Sequence, residues 1–298
     1  MSELYVITTI SNPLGYASRY RRYREFCRHI ENSGAMLYTV ELAFGDQPFA
    51  VTVEGDPHHV QLRSPHQIWY KENLINVALK RLPQDWKFVA WLDADIAFVR
   101  ADWADETLRQ LEQHRFVQMF THAIDLGPAY EPLKTYEGFV YRHRQGMAGS
   151  QGHGQMGYAW AARRADLEAV GGLIDWSILG SNDYFMALAL IGEVDANSGN
   201  MPHSAYAATL LDWQAKCQRH IGRDIGCVEN TLVHFWHGRR ADRGYSTRWH
   251  ILVDHKFDPG TDLVRDDQGL LGLSGTKPGL RDDIAAYFRS RNEDSIDV

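Results

Sequence analysis

Two carboxylates, Asp93 and Asp95, follow an apolar run in the stretch Lys87-Phe88-Val89-Ala90-Trp91-Leu92-Asp93-Ala94-Asp95-Ile96-Ala97-Phe98-Val99. Such a run reads as a strand buried on both faces, the pattern of a central parallel strand flanked by helices. On an extended backbone, residues two apart leave on the same side. Both acids would then stand at the carboxyl edge of the sheet, where open α/β sheets bind ligands. Two hard oxygen ligands beside a crevice suit Mg²⁺ or Mn²⁺, and such an ion can in turn hold a diphosphate. The apolar run that leaves the pair, Ile96 to Val99, sets it apart from a solvated loop, because charges are rarely left inside without a partner. Arg239, Arg240 and Arg243, late in the chain, are of the residue type that can hold a phosphate group bidentately.

The elements that must carry these groups can be read in order. Leu4 to Ile10 is a strand ending in the turn-forming Ser11-Asn12-Pro13, and Tyr16, Tyr20, Tyr23, Phe26 and Ile30 recur at helical spacing up to Gly34. Met36 to Leu42 is a second strand, so the opening is the strand, helix, strand unit that builds parallel sheets. Phe49 to Val53 and His59 to Leu62 pair as a hairpin, and Gln67 to Leu82 is an amphipathic helix with Pro83 beyond its end. Asp102 is placed to cap a helix running to Gln113. Phe116 to Phe120 is a strand, and His122 to Gly157 is a glycine-studded lid or acceptor loop. Gly157 to Arg164 returns to strand, followed by a short helix closed by Gly171-Gly172 and another from Tyr184 to Ile191. His203 to Ile221 is a helix, Cys227 to Phe235 is a last strand, and the polar tail from Arg289 is frayed.

Composition bounds the class. With 298 residues the chain can bury a full core, and 44% hydrophobic with 23% charged residues is ordinary for a globular protein. A formal net charge of -7 excludes a surface covered in nucleic-acid contacts. Local charge remains, with Arg19, Arg21, Arg22, Arg24 and Arg28 crowding the first helix. Cys27, Cys217 and Cys227 have neither metal-ligand nor disulfide spacing, which fits a reducing compartment. The N-terminus has no basic leader and no apolar run reaches membrane-spanning length, so the expectation is a soluble, cytoplasmic protein.

The acidic pair after its strand resembles the metal-dependent, nucleotide-sugar glycosyltransferases of the GT-A fold, in particular family 2-like enzymes. The resemblance covers roughly residues 1 to 240 and implies sugar transfer from a nucleoside diphosphate, with a UDP-sugar as donor. It implies that the loop after the first strand, with Thr8, Thr9 and Asn12, holds the nucleotide base. Lys71 and Asn73, on the helix upstream of the acidic strand, resemble donor-contacting residues, whereas Glu72 is read as a partner for a surface lysine. Asp183, at the start of a helix on the acceptor side, matches the family's acid and is the expected base of an inverting transfer. A neighbouring helix N-terminus would favour its anion and lower its basicity. The family's late histidine after a strand implies His234 or His237 as a further metal ligand beside Asp93 and Asp95, with His234 preferred.

The expected architecture is one α/β domain, GT-A-like, over residues 1–241, with residues 242–298 as an extension that packs on it as part of the active-site wall. Asp93, Arg239 and Arg240 would meet the donor phosphates. The acceptor is a sugar, a lipid or, given arginine clusters interleaved with aromatic residues, a hydroxymethylated pyrimidine in bacteriophage DNA. Two other classes share parts of the pattern. A sugar-phosphate nucleotidyltransferase would have the same sheet and acids, but Ser11-Asn12-Pro13-Leu14-Gly15 offers one glycine where those enzymes carry a glycine-rich phosphate loop. An inactive sugar-binding module would need neither intact acids nor the histidine.

Overall fold

The computed structural model describes residues 3–147, 152–195, 201–245 and 247–297. The chain opens with β1 (Leu4–Ser11), whose first five residues are buried. Alternate residues enter two different cores, Leu4 and Val6 on one face and Tyr5 and Ile7 on the other, as a period of two requires. Helix α1 (Ala17–Glu31) buries Tyr23, Phe26 and Ile30. It is followed by β2 (Met36–Phe44) and β3 (His59–Ser64), with β2 parallel to both β1 and β3. The hairpin expected from Phe49 to Val53 does not form. The backbone N–H groups of Ala50, Val51 and Thr52 instead converge on the buried Glu41 carboxylate at 2.6, 3.1 and 2.9 Å.

Helix α2 (Lys71–Leu79) is shorter than its apolar pattern suggests. Tertiary partners hold the backbone ahead of it: Trp69 N–H donates to the Ile178 carbonyl at 2.8 Å. Strand β4 (Phe88–Leu92) lies parallel to β1. The chain then turns at residues 93–95 and enters β5 (Ile96–Phe98), which belongs to a second sheet. The acidic pair therefore sits on a turn between sheets, not on one extended strand. Asp102 precedes α3 (Trp103–Gln113) as expected, but its side chain pairs with Arg100 and caps nothing.

After β6 (Phe116–Gln118), the segment expected to be a loop holds β7 (His122–Leu126), β8 (Pro132–Glu137) and α4 (Phe139–Arg144). Residues 148–151 of that segment lie outside the described residues. Then come β9 (Ala159–Arg163), α5 (Arg164–Val170), α6 (Asn182–Ile191), α7 (Ser204–His220), β10 (Ile225–Cys227) and β11 (Thr231–His234). The last part of the chain forms α8 (Trp249–Asp254), α9 (Pro259–Asp262), the hairpin of β12 (Leu263–Arg265) with β13 (Leu271–Leu273), and α10 (Pro278–Ser290).

The main sheet has the order β10-β6-β9-β4-β1-β2-β3, and only β9 runs antiparallel to its neighbours. With helices packed on it, the protein has the α/β architecture expected from the sequence, a mostly parallel sheet flanked by helices. Chain order reverses between β1 and β4, which opens a crevice at their carboxyl ends. The second sheet, β5-β11-β7-β8, closes one side of that crevice. Its register sets His234 opposite both Ile96 and Asp125.

Residues from 242 onward share the main core, where Leu252, Phe257, Leu271, Leu280 and Ile284 cluster with Ile7 and Trp91. The tail expected to fray is anchored instead. Arg291 and Glu293 are buried, and Asp294 accepts from Ala17 and Ser18 N–H at 2.9 and 2.8 Å, capping α1. Trp236 Nε1 donates to the Ser295 carbonyl at 2.7 Å. Among the described residues, no helix is long and apolar enough to cross a membrane.

Candidate active site

The crevice between the ends of β1 and β4 is a cleft of about 470 Å³, with Thr9, Lys71, Asp93, Asp95, Asp183 and His234 among its lining. At one end, Asp95, His234 and His237 each offer a ligand atom, all within 4.8 Å of one another. His234 Nε2 lies 3.8 Å from Asp95 Oδ1 and His237 Nδ1 lies 2.7 Å from Asp95 Oδ2. The sheet register explains the meeting, because β11 pairs with β5 immediately after the acidic turn and Phe235 N–H donates to the Asp95 carbonyl at 2.8 Å.

These side chains are poised as lone-pair donors. Burial and the nearby Arg243 push His237 down to about 4, leaving its imidazole neutral at neutral pH. Burial also opposes the Asp95 anion, but His237 and His234, the hydrogen bond from His237 and the nearby Arg243 cation together outweigh it and hold the carboxyl below its usual range. Asp95 Oδ1 is buried without a hydrogen bond, and His237 Nδ1 faces Asp95 Oδ2 alone. Two imidazoles and a carboxylate around an orphaned buried oxygen fit a divalent transition-metal ion better than the oxygen-seeking Mg²⁺.

A further carboxylate orients this group. Asp125 Oδ1 meets His234 Nδ1 at 3.0 Å and accepts from the Tyr158 hydroxyl at 2.7 Å. With its proton held on Nδ1, His234 presents Nε2 towards Asp95. Burial opposes the Asp125 anion, yet the bonds from His234 and Tyr158 lower it to about 2. The Tyr158 ring stacks on His234 at 4.4 Å, and Tyr158 itself holds a left-handed φ of 72°. A bulky residue in that conformation is strained and must be held by its surroundings.

Across the cleft, Asp93 pairs with Lys71 Nζ, outside the Asp95 and histidine group. Burial, the strongest single influence, raises Asp93 and opposes the Lys71 cation, but the lysine remains charged because Asp93, Glu72 and Asp183 together outweigh burial. Glu72 is not a surface partner for a lysine. It is buried and accepts from Asn182 Nδ2 at 2.6 Å and Trp69 Nε1 at 3.1 Å. Burial raises it to about 7, against the pull of Lys71 and with the push of Asp183. Asp183 stands in the first turn of α6 and lines the cleft. Gly157 makes room for it, since a Cβ there would sit 2.4 Å from Asp183 Oδ2.

Other expected donor contacts are turned inward. Thr8 is fully buried and donates to the Leu92 carbonyl at 2.9 Å. Asn12 ties the turn together through Tyr16 N–H and carbonyl, both at 2.9 Å. Asn73 is buried against Asp175, Gly269 and Leu271. These three polar groups have their partners within the fold and are not among the cleft-lining residues. Thr9 does line the cleft, as does Arg240, whereas Arg239 pairs with Asp242 away from it. The sequence reading missed Asp125 and Arg291 and placed Glu72 at the surface, whereas Arg19, Arg22, Arg243 and Arg248, from the two arginine clusters, do line the cleft. Arg19 holds Glu293 through Nε and Nη2 at 2.5 and 2.8 Å, and Arg291 approaches the same carboxylate at 2.8 Å.

No family model matches the chain, and no curated protein matches it. Similar solved structures exist at low identity. The catalytic domain of Drosophila β1,4-galactosyltransferase 7 in complex with xylobiose is 12% identical, with 94% of this chain and 98% of that chain covered and a TM-score of 0.45. A mutant of the same enzyme with manganese, UDP-Gal and xylobiose is 11% identical, covering 64% and 62%, at a TM-score of 0.35. TarS from S. aureus is 10% identical, covering 85% and 65%, at a TM-score of 0.42. All three scores are below 0.5, so the functional reading rests on the geometry of the cleft.

Proposed function

We propose that the chain is a GT-A-type glycosyltransferase, moving a sugar from a nucleoside diphosphate sugar, with UDP-sugars the first donors to try, to an acceptor hydroxyl. The observation that carries this reading is the Asp95, His234 and His237 group, with both imidazoles buried and Asp95 Oδ1 orphaned, at the switch point of a mostly parallel sheet. Those three residues would hold a divalent ion, with Mn²⁺ the first to try, and a bound ion supplies positive charge against the departing diphosphate.

The chain's own residues account for the remaining steps. Arg243, buried beside His237 with its Nε unpartnered, and Arg240 offer donors to the diphosphate. Lys71 and Asp93 form the opposite wall with Thr9. Asp183 takes the acceptor proton as the acceptor oxygen bonds the anomeric carbon and the bond from that carbon to the diphosphate oxygen breaks, which inverts the centre. The acceptor hydroxyl belongs to a sugar, a lipid or a hydroxymethylated pyrimidine of DNA.

The test is release of nucleoside diphosphate from a panel of nucleotide sugars, with Mn²⁺ present and then chelated. Metal-dependent release from one donor is expected, lost in Asp95→Asn and, for transfer only, in Asp183→Asn with UDP binding retained. Silence across the panel, with no donor-induced rise in Tm, would exclude the reading.

A further inference from the structure

Two arginines from the two ends of the C-terminal segment meet in the cleft wall. Arg248 and Arg291 lie with their guanidinium centres 6.0 and 5.4 Å from the Trp69 ring. Both also meet Tyr287: Arg248 Nη1 donates to its hydroxyl at 3.1 Å, and Arg291 stands 5.9 Å from its ring. The Tyr245 ring lies 4.9 Å from Arg248 on another side. Residue exposures of 8% for Arg248 and 4% for Arg291 show that water reaches little of either.

Burial of this depth normally comes with a counter-ion. Among the described residues Arg248 forms no ion pair, its contacts being Tyr287, the two rings and Ser181 Oγ at 3.5 Å. Arg291 shares the single Glu293 carboxylate with Arg19, and its Nη1 is buried without a partner. Rings offer a guanidinium partial stabilisation but no full negative charge. One guanidinium without an ion pair and one that shares its carboxylate with a third arginine, both deeply buried in a cleft wall, are the fittings of an oxyanion ligand, for which the planar fork is suited.

Arg248 carries this pair towards the start of α6. Arg248 reaches Ser181, the residue ahead of α6, and a Cβ on Gly180 would come within 3.1 Å of Arg248 Nη2. Two residues further on is Asp183. We propose that Arg248 and Arg291 form a second anion subsite, on the acceptor side of the cleft, that takes a phosphate ester group carried by the acceptor. The word acceptor rests on the transferase reading; the anion subsite itself does not. Such a subsite would hold a charged acceptor with its hydroxyl facing Asp183 and discriminate against neutral sugars.

Methyl phosphate is the probe, titrated by calorimetry and by Tm into the metal-free chain and again with UDP and Mn²⁺ bound. Saturable binding is expected in both cases, weakened at least tenfold in Arg248→Gln and less in Arg248→Lys, while the UDP·Mn²⁺ affinity of both variants stays within twofold of wild type. Because Arg248→Gln removes an uncompensated buried charge, its ligand-free Tm should equal or exceed that of wild type, which guards against a folding artefact. Unchanged methyl phosphate affinity in Arg248→Gln would overturn the subsite. So would competition between methyl phosphate and UDP together with a tenfold loss of UDP·Mn²⁺ affinity, which would give the arginines to the donor diphosphate. A chain that binds methyl phosphate through Arg248 but neither UDP nor Mn²⁺ would keep the subsite and remove the transferase reading.

Discussion

Asp125 touches no expected substrate, yet its replacement should weaken metal binding. Its carboxylate fixes the His234 proton on Nδ1 through a 3.0 Å contact, accepts from Tyr158 at 2.7 Å and meets Arg240 Nη1 at 3.3 Å. Loss of an outer partner of a metal-binding histidine costs about 10- to 100-fold in affinity, or roughly 1.4–2.8 kcal/mol. Asp125→Asn keeps a neutral acceptor at the same place, and the Tyr158 ring, stacked at 4.4 Å, still limits rotation of the imidazole. The asparagine variant should therefore fall near the tenfold end. Asp125→Ala leaves both His234 Nδ1 and the buried Tyr158 hydroxyl without this acceptor and should fall towards a hundredfold, with an added stability loss of about 1–3 kcal/mol for the orphaned hydroxyl. The assay is an Mn²⁺ titration followed by electron paramagnetic resonance, with urea melts as a control. Mn²⁺ affinity within twofold of wild type in both variants would refute the orienting role.

Further outcomes follow from particular atoms. Glu72 is raised to about 7, chiefly by burial, so the folded chain holds a proton that the unfolded chain releases near pH 4.5. Its contribution to stability is full below the unfolded value and is lost as pH rises to about 7, with an upper bound of about 3 kcal/mol at about 1.4 kcal/mol per unit; urea melts should show Glu72→Gln gaining on wild type between pH 5 and pH 8. Gly157→Ala would drive a Cβ to 2.4 Å from Asp183 Oδ2, so transfer should drop about 100-fold while UDP·Mn²⁺ binding is kept, consistent with the sensitivity of rate to placement of a base. Gly238 has φ +86° and its Cβ would approach the Asn292 carbonyl oxygen to 2.8 Å; Gly238→Ala should cost about 2–4 kcal/mol in a melt by combining left-handed strain with overpacking.

The legible parts of the fold are those in which sequence-local forces decide. β1 and β4 were readable from their apolar runs, and α7 from apolar residues that recur at helical spacing. Phe49 to Val53 misled because an acid in another strand, Glu41, captures their N–H groups. The glycine-rich appearance of His122 to Gly157 hid two strands, since β7 and β8 are held by pairing that a local pattern does not record.

At the site, Asp95 and His234 could be found because each stands next to a buried strand. Both histidines are placed at Asp95, so the choice between them framed in sequence becomes a shared group. Asp125 and Glu293 gave no local signal: their partners His234 and Arg19 are 109 and 274 residues away in the chain. Glu72 looked like a helix-surface acid, and only the docking of Asn182 and Trp69 over it makes it a buried one.

The most direct measurement is Mn²⁺ binding, with and without UDP, to wild type and to the Asp95→Asn, His234→Gln and His237→Gln variants. The expected result is one ion per chain in wild type, tightened by UDP and weakened in all three variants, with each still folded by its melt. Failure of the wild-type chain to bind Mn²⁺ even with UDP, or equal binding in all three variants, would contradict the assignment of this cleft as a metal-dependent nucleotide-sugar site.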